Sequence, residues 1–421
     1  MTYILSDGVY FVEGARNSAI CDTRNGNVYS LNSVATAKFR NTEPDPEFVC
    51  LLSQLGIIEH GEKFPKMAGT YKTQDRLRFV WFEIATSRCN LRCKHCYLGK
   101  KPQKKHKRGG LEYRDWKVLI SDAYKLGARK CQFIGGEPFL FASNGKNVLD
   151  LCTYASTVGF TEVEIFTNAQ SVTSRAALKM KDIGAKMATS VYSVVPEVHD
   201  SITGKVGSLR KTLEAINMLM ELGVEVRVEV VAMSLNQDTL ADTMNFLQSI
   251  GVRTRNPDPI RPTGNGMDEY LLLSPEYFKK YGLLSRPEFS ARKEAFLSNQ
   301  KSNSCLVGKL AITDSGIVLP CVFARTEILG NVREQNLEAV FNGEAAARVR
   351  SLSKDEILVC RDCEYRYVCH DCRPLSADTY MVKEAFYRYP NPRCTYNPYT
   401  GVWGEGRWVM EGFELQYSQI S

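Results

Sequence analysis

Short runs of apolar residues at 8–13, 18–22 and 27–31, separated by turn signals such as Arg24-Asn25-Gly26, predict three strands early in the chain. Ser33 can cap a short helix after them, and 46–55 reads as a second helix closed by Gly56. The prolines of Thr42-Glu-Pro-Asp-Pro46 break the two helices apart. From about residue 77 to 260 the pattern becomes a regular alternation. Strands are predicted at 78–85, 130–134, 162–167, 186–192, 224–232 and 252–256, with helices between them at 112–127, 145–158, 171–183, 207–222 and 237–250. Such alternation implies parallel strands joined by right-handed crossovers. Six strands are too few for a closed eight-stranded barrel, so the expected fold is α/β, a partial, open (β/α)6 barrel with ligands at the carboxyl ends of its strands.

Beyond residue 300 the periodicity weakens and turn signals multiply, while seven cysteines remain. A segment poor in core pattern and rich in ligands is expected to be held by metal. The stretch 261–300, opening on Arg261-Pro-Thr-Gly-Asn-Gly266 and followed by a helix near 275–298, reads as a connector. The expected division is therefore 1–70, 71–270, a connector at 271–300, and 301–421.

Composition narrows the class. The 421 residues are 44% hydrophobic and 24% charged, ordinary for a globular protein. No run approaches the roughly 20 apolar residues of a membrane span. The first residues show neither a basic n-region nor a cleavage site, so no secretory signal is expected. A net charge of +7 says little about partners. Fourteen cysteines are the unusual feature. In a chain this large without an export signal they do not suggest a disulfide framework. Cys21, Cys50, Cys131 and Cys152 lie in or beside apolar runs and read as structural, and the other ten form two groups.

The first group, Cys89-Asn-Leu-Arg-Cys93-Lys-His-Cys96-Tyr97, follows the first barrel strand, where a catalytic loop belongs. Three thiolates can hold a 4Fe–4S cluster and leave one iron open, whereas zinc would need a fourth ligand such as His95. This C-x3-C-x2-C loop with its trailing aromatic resembles the signature of the radical S-adenosylmethionine (SAM) superfamily. The resemblance implies that Cys89, Cys93 and Cys96 ligate the catalytic cluster and that SAM binds its open iron. It also implies a 5′-deoxyadenosyl radical that abstracts hydrogen. The turn Gly135-Gly136-Glu137-Pro138 after the second strand resembles the family's G-G-E-P turn, which holds the SAM amino group. Thr167-Asn168 resembles its T-N-G turn, with Ala169 in place of glycine. Ser190 and Tyr97 complete the implied SAM contacts. Many relatives carry an arginine near Thr203, and here there is none.

The second group comprises Cys305, Gly316-x4-Cys321, Cys360-x2-Cys363-x5-Cys369-x2-Cys372 and Cys394. It is similar to the SPASM extension, which binds two auxiliary 4Fe–4S clusters. That pattern implies Cys360, Cys363, Cys369 and Cys394 for the outer cluster, and Cys305, Cys321 and Cys372 for the inner one. The run ends in C-x2-C rather than the usual C-x3-C, so the inner cluster has either an open iron or a non-cysteine ligand. The paired C-x2-C units would by themselves suit a zinc ribbon.

The opening segment, with Gly8-Val-Tyr-Phe-Val and Asn27-Val-Tyr-Ser-Leu31-Asn32, resembles the winged-helix-like peptide-recognition domain related to PqqD. Such domains bind a precursor leader as an added strand. The sequences around Cys363–Cys372 and Cys394 look like those of ribosomal-peptide maturases. The resemblance as a whole implies a cytoplasmic enzyme that cross-links a ribosomally made precursor peptide, a thioether being favoured over a C–C or C–O bond. It also implies three 4Fe–4S clusters, SAM, and a low-potential flavodoxin- or ferredoxin-type donor. A formylglycine-generating sulfatase maturase and a non-catalytic zinc-stabilised scaffold are the alternatives. Residues 100–108 carry six positive charges on a basic loop. They lack the interleaved aromatics of a nucleic-acid site, and no nucleic acid or membrane partner is expected.

Overall fold

The structure, a computed structural model, describes residues 3–40, 45–60, 76–99, 109–284, 286–380, 386–412 and 414–419. The basic loop at 100–108 and residues 42–44 of the two-proline break lie outside the described residues. Contacts divide the chain into two compact units, one of residues 1–74, 283–307 and 350–421, the other of 75–282 and 308–349.

In the first unit β1 (Tyr3–Leu5) pairs antiparallel with the strand Ile58–His60. Strands β2 (Val9–Glu13), β3 (Ser18–Asp22) and β4 (Asn27–Leu31) form an antiparallel sheet in the order β2-β3-β4. Helices α1 (Ser33–Arg40) and α2 (Pro46–Gln54) follow, α2 capped by the Asp45 carboxylate. Every residue of β3 is buried because both faces of this sheet are covered. Side chains alternate across a strand. Val9, Phe11, Ile20, Tyr29 and Leu31 therefore pack with Leu52, Ile57 and Ile58 on one face. Tyr10, Val12, Ala19, Cys21 and Val28 point the other way, onto Phe296, Tyr365, Tyr367, Val368 and Tyr396. The opening sheet and the cysteine-rich tail thus share one apolar core.

The expected connector helix at 275–298 is interrupted. A single turn, Pro275–Tyr277, runs into a π-turn at Phe278–Gly282, and helix resumes only at Lys293–Asn299. Pro287 lies in the gap, without an amide proton and hostile to helix in the residue before it. Of the four cysteines read as structural, Cys21, Cys131 and Cys152 are buried, but Cys50 is exposed on α2.

The second unit holds the open barrel. Strands β5 (Phe79–Ala85), β6 (Lys130–Gly136), β7 (Glu162–Phe166), β8 (Lys186–Ser190), β9 (Val226–Glu229) and β10 (Arg253–Thr254) are all parallel. Helices α3 (Tyr113–Lys125), α4 (Val148–Val158), α5 (Ser174–Asp182), α6 (Pro196–Thr203), α7 (Ser208–Glu221) and α8 (Leu240–Ser249) connect them. Phe82, Phe133 and Trp116 fill the seam between sheet and helices, with Phe82 5.4 Å from Phe133 and 5.9 Å from Trp116 between ring centroids. The strand expected at 224–232 is split: β9 stays in the main sheet, while Val231–Ala232 pairs with Asp258–Pro259. Residues 308–349 extend the same sheet. Lys309–Thr313 lies parallel to β5, and Ile317–Leu319 and Gly330–Asn331 follow antiparallel. Among the described residues no helix is long and apolar enough to cross a membrane.

Candidate active site and cysteine centres

A cavity of about 1340 Å³ opens on the concave face of the barrel sheet and reaches the carboxyl ends of its strands. Cys89, Cys93, Cys96, Tyr97, Gly135, Gly136, Thr167, Asn168 and Ser190 all line it. The cysteine loop is held by backbone bonds from three directions. Arg92 N donates to Thr203 O and Lys94 N to Ile202 O, both at 2.9 Å. Asn265 N donates to Cys96 O at 2.9 Å, and its side chain donates to Cys93 O at 3.2 Å. Gly264 is required beside that contact, since a Cβ there would fall 2.4 Å from Tyr97 O. At the root of the loop, Thr86 N donates to the Asp314 carboxylate at 3.0 Å.

The turn after β6 needs its glycines. Gly136 has φ +64° and a Cβ on it would lie 1.9 Å from Ala85 O. The side chain of Glu137 does not face the cavity. It is fully buried and accepts from Thr167 Oγ1 at 2.7 Å, Asn168 N at 2.9 Å and Phe139 N at 3.0 Å. It therefore staples the turn after β6 to the turn after β7, and Pro138 is buried in the short 3-10 helix beside it. Ala169 takes φ +62°, the left-handed conformation that glycine occupies more cheaply, so the turn keeps its shape without the glycine. The Asn168 amide reaches Asn90 Oδ1 at 2.7 Å and the Cys89 sulfur at 3.7 Å.

The three loop thiols share one electrostatic environment. Burial pushes each upward, and for Cys93 the charges of Cys96 and Cys89 add to the rise. Three soft donors on one loop, facing one cavity, suit a cluster whose iron draws electron density from sulfur. Among the described residues no group of three or more His, Cys, Asp or Glu side chains converges as a single-ion site does. A cluster asks for something different, thiolates spread around a cube and each on its own iron.

Below the loop lies a charged pair that the sequence reading passed over. Glu83, fully buried on β5, accepts from Tyr97 OH at 2.8 Å and from Arg325 Nη1 at 2.7 Å. Burial raises its carboxyl, and Arg325 and Tyr97 pull it back only in part. Further along the sheet Arg227 bridges Glu164 at 2.8 Å and Glu229, and Lys186 meets Glu225 at 2.8 Å. This part of the cavity wall is thus charged but internally paired.

His95 packs edge-on against Tyr192, which in turn meets His199. Burial pushes His199 down to about 4, with Asp200 opposing weakly. Its folded value lies below the unfolded value of about 6.5, so between those values the unfolded chain binds the extra proton. Stability is complete above about pH 6.5 and is lost as pH falls toward 4. We expect His199 to make the protein about 2 kcal/mol less stable at pH 5 than at pH 7.5. His199→Gln should remove that share of the slope in denaturant titrations at the two pH values, and an unchanged slope would refute the assignment.

In the first unit, Cys360, Cys363, Cys369 and Cys394 are all half-buried. Burial lifts Cys394 to about 12, with Cys369 and Cys360 adding to the rise, and lifts Cys360 to about 11 against the pull of Lys354. Lys354 Nζ donates to the Cys369 sulfur at 3.1 Å. Cys305 and Cys372 belong to this unit, whereas Cys321, buried after the strand Ile317–Leu319, belongs to the other.

Residues 84–248 match the radical SAM superfamily, and residues 305–364 match the iron–sulfur cluster-binding domain SPASM. The chain thus carries a radical SAM enzyme domain and an iron–sulfur cluster-binding SPASM domain. Among curated proteins it resembles the antilisterial bacteriocin subtilosin biosynthesis protein AlbA of Bacillus subtilis. The two are 26% identical over 271 residues, covering 62% of this chain and only 58% of AlbA. It also resembles the AdoMet-dependent heme synthase of Oleidesulfovibrio alaskensis, at 23% identity over 356 residues, 76% of this chain and 88% of that protein. Among solved structures, Streptococcus suis SuiB bound to precursor peptide SuiA superposes with a TM-score of 0.55 at 14% identity, covering 93% of this chain and 99% of SuiB. At that identity the likeness is one of fold.

Proposed function

We propose that this enzyme is a maturase of a ribosomally made precursor peptide. Residues 1–70 dock the leader, and the core peptide enters the barrel cavity to be cross-linked, by thioether ahead of C–C or C–O. Cys89, Cys93 and Cys96 would hold the catalytic cluster. Cys360, Cys363, Cys369 and Cys394 would hold the outer auxiliary cluster, and Cys305, Cys321 and Cys372 the inner one. When bound, SAM and its cluster supply a 5′-deoxyadenosyl radical able to take hydrogen from an unactivated carbon. The chain's own part is to enclose and orient. Gly135 and Gly136 let backbone approach the ligand, Asn168 and Ser190 offer polar contacts, and the paired charges of the wall add to the polarity of the cavity. A flavodoxin- or ferredoxin-type protein would supply electrons.

The observation that carries this reading is the architecture of the opening sheet. With both faces buried, its free backbone groups lie at its edges, as strand addition requires. Gly14 N bonds Asn17 O and Thr23 N bonds Gly8 O, so by alternation Val28 and Ser30 of β4 present N–H and C=O outward. AlbA serves bacteriocin biosynthesis and SuiB was captured with a precursor peptide, which agrees with a peptide substrate here.

The test uses the intact enzyme, because the shared core makes deletion of the opening segment destructive. Incubated anaerobically with SAM, reductant and a precursor encoded beside its gene, it should return peptide lighter by two hydrogen atoms per link. Peptide of unchanged mass alongside 5′-deoxyadenosine would overturn the cross-linking reading. Ser30→Pro should weaken leader binding about tenfold by removing one edge donor, while Ser30→Ala should not. Equal binding by both variants would move the leader off β4.

A further inference from the structure

The cysteine-rich tail contains a buried charge cluster that the proposed function does not use. Lys354 sits in the turn Lys354–Glu356, where Ser353 and Glu356 cap each other's backbone. Its side chain is 6% exposed, and Nζ lies 3.1 Å from the Cys369 sulfur and 3.4 Å from Asp371 Oδ2. Asp371, 2% exposed, also pairs with Arg373, which is fully buried and whose Nη1 donates to Tyr387 O at 3.1 Å and Tyr389 O at 2.8 Å. Among the described residues one carboxylate stands between these two cations, so the three groups together carry a net positive charge away from water. Buried charge is costly unless an opposite charge meets it. The anions at hand are the thiolates.

We propose that Lys354 is a positioning residue that raises the reduction potential of the cluster on Cys360, Cys363, Cys369 and Cys394. It does so through the N–H···S bond to Cys369 and the net positive charge it brings to the site. The inference rests on reading those four cysteines as a cluster site. Reduction adds negative charge to the cluster, and a fixed ammonium donating to a ligand sulfur favours the more negative state. The device fits a cluster that has to receive electrons rather than only pass on low-potential ones. Substitution at Lys354 also leaves a stable remainder: the turn is capped by its neighbours, and Asp371 keeps Arg373. Methionine is of similar length, so Lys354→Met removes charge and donor with little change of shape.

The experiment is an EPR-monitored redox titration of the full-length, cluster-loaded protein, with iron and zinc measured on each sample. Cys363→Ala identifies the signal of this cluster by its loss. Lys354→Met should keep the wild-type iron content and move that signal, and no other, to lower potential. Lys354→Arg, which keeps the charge, should move it back. An unmoved midpoint in a fully loaded Lys354→Met protein overturns the inference and leaves the cluster reading intact. If Lys354→Met and Lys354→Gln both arrive without this cluster's iron, the residue builds the site rather than tuning it, which also overturns the inference. If Cys363→Ala costs neither iron nor signal, or the wild type holds zinc there, the cluster reading itself fails and the inference falls with it.

Discussion

Cys93→Ala is expected to drop SAM cleavage to the uncatalysed background, a loss of about 10⁶-fold or more, measured as 5′-deoxyadenosine formed under anaerobic reduction. Cys93 is the central thiol of the loop, half-buried and flanked by the charges of Cys96 and Cys89. Its backbone is tied independently of its sulfur, since the Asn265 side chain donates to the Cys93 carbonyl and Asn265 N to the Cys96 carbonyl. Alanine keeps both bonds, so the loop should retain its path and the protein its stability. What disappears is one of three soft donors, and with two left the cube has no secure seat. Iron should fall by one cluster's share while the denaturation midpoint stays close to wild type. Retained SAM cleavage would sink the assignment of the catalytic cluster to this loop.

Glu83→Ala is expected to cost about 3–5 kcal/mol, the usual penalty for stranding the partner of a buried ion pair. Its carboxylate is the shared acceptor of Tyr97 OH and Arg325, and removing it leaves a half-buried guanidinium without that counter-charge. The opposite substitution should be milder. Burial already raises the Glu83 carboxyl, so with Arg325→Met it can take up a proton and become neutral while Tyr97 OH still donates to it. Chemical denaturation of the two single variants should therefore show Glu83→Ala as clearly the worse. Equal losses would mean that the pair acts only as packing.

The contiguous motifs of the candidate site were legible in the sequence. The C-x3-C-x2-C loop, the G-G-E-P turn and the Thr167-Asn168 turn each need a local spacing, and strand–helix alternation placed them at strand ends. The structure brings them to one cavity. What stayed hidden depends on pairs far apart in sequence. Arg325 reaches Glu83 across 242 positions, and nothing local announces it except a lone carboxylate inside an apolar strand, Phe79-Val-Trp-Phe-Glu83-Ile-Ala85. Asn265 lay in a stretch read as connector, although two glycines flanking a polar residue did mark a close backbone approach. Glu137, expected at the ligand, is buried and braces two turns.

The open parallel barrel and the enzyme class could be read from the chain alone, as could the segments proposed to carry the chemistry. Periodicity and short-range spacing are properties of neighbouring residues, and they survive without knowledge of the fold. The packing of distant segments settled that Lys309–Thr313 joins the barrel sheet beside β5, and that the opening sheet buries its second face on the cysteine-rich tail. It alone put Lys354 on the sulfur of Cys369 and Arg325 on Glu83. A strand's pairing partner and a buried charge's counter-charge are chosen by which surfaces can exclude water together, and that choice spans hundreds of residues at once.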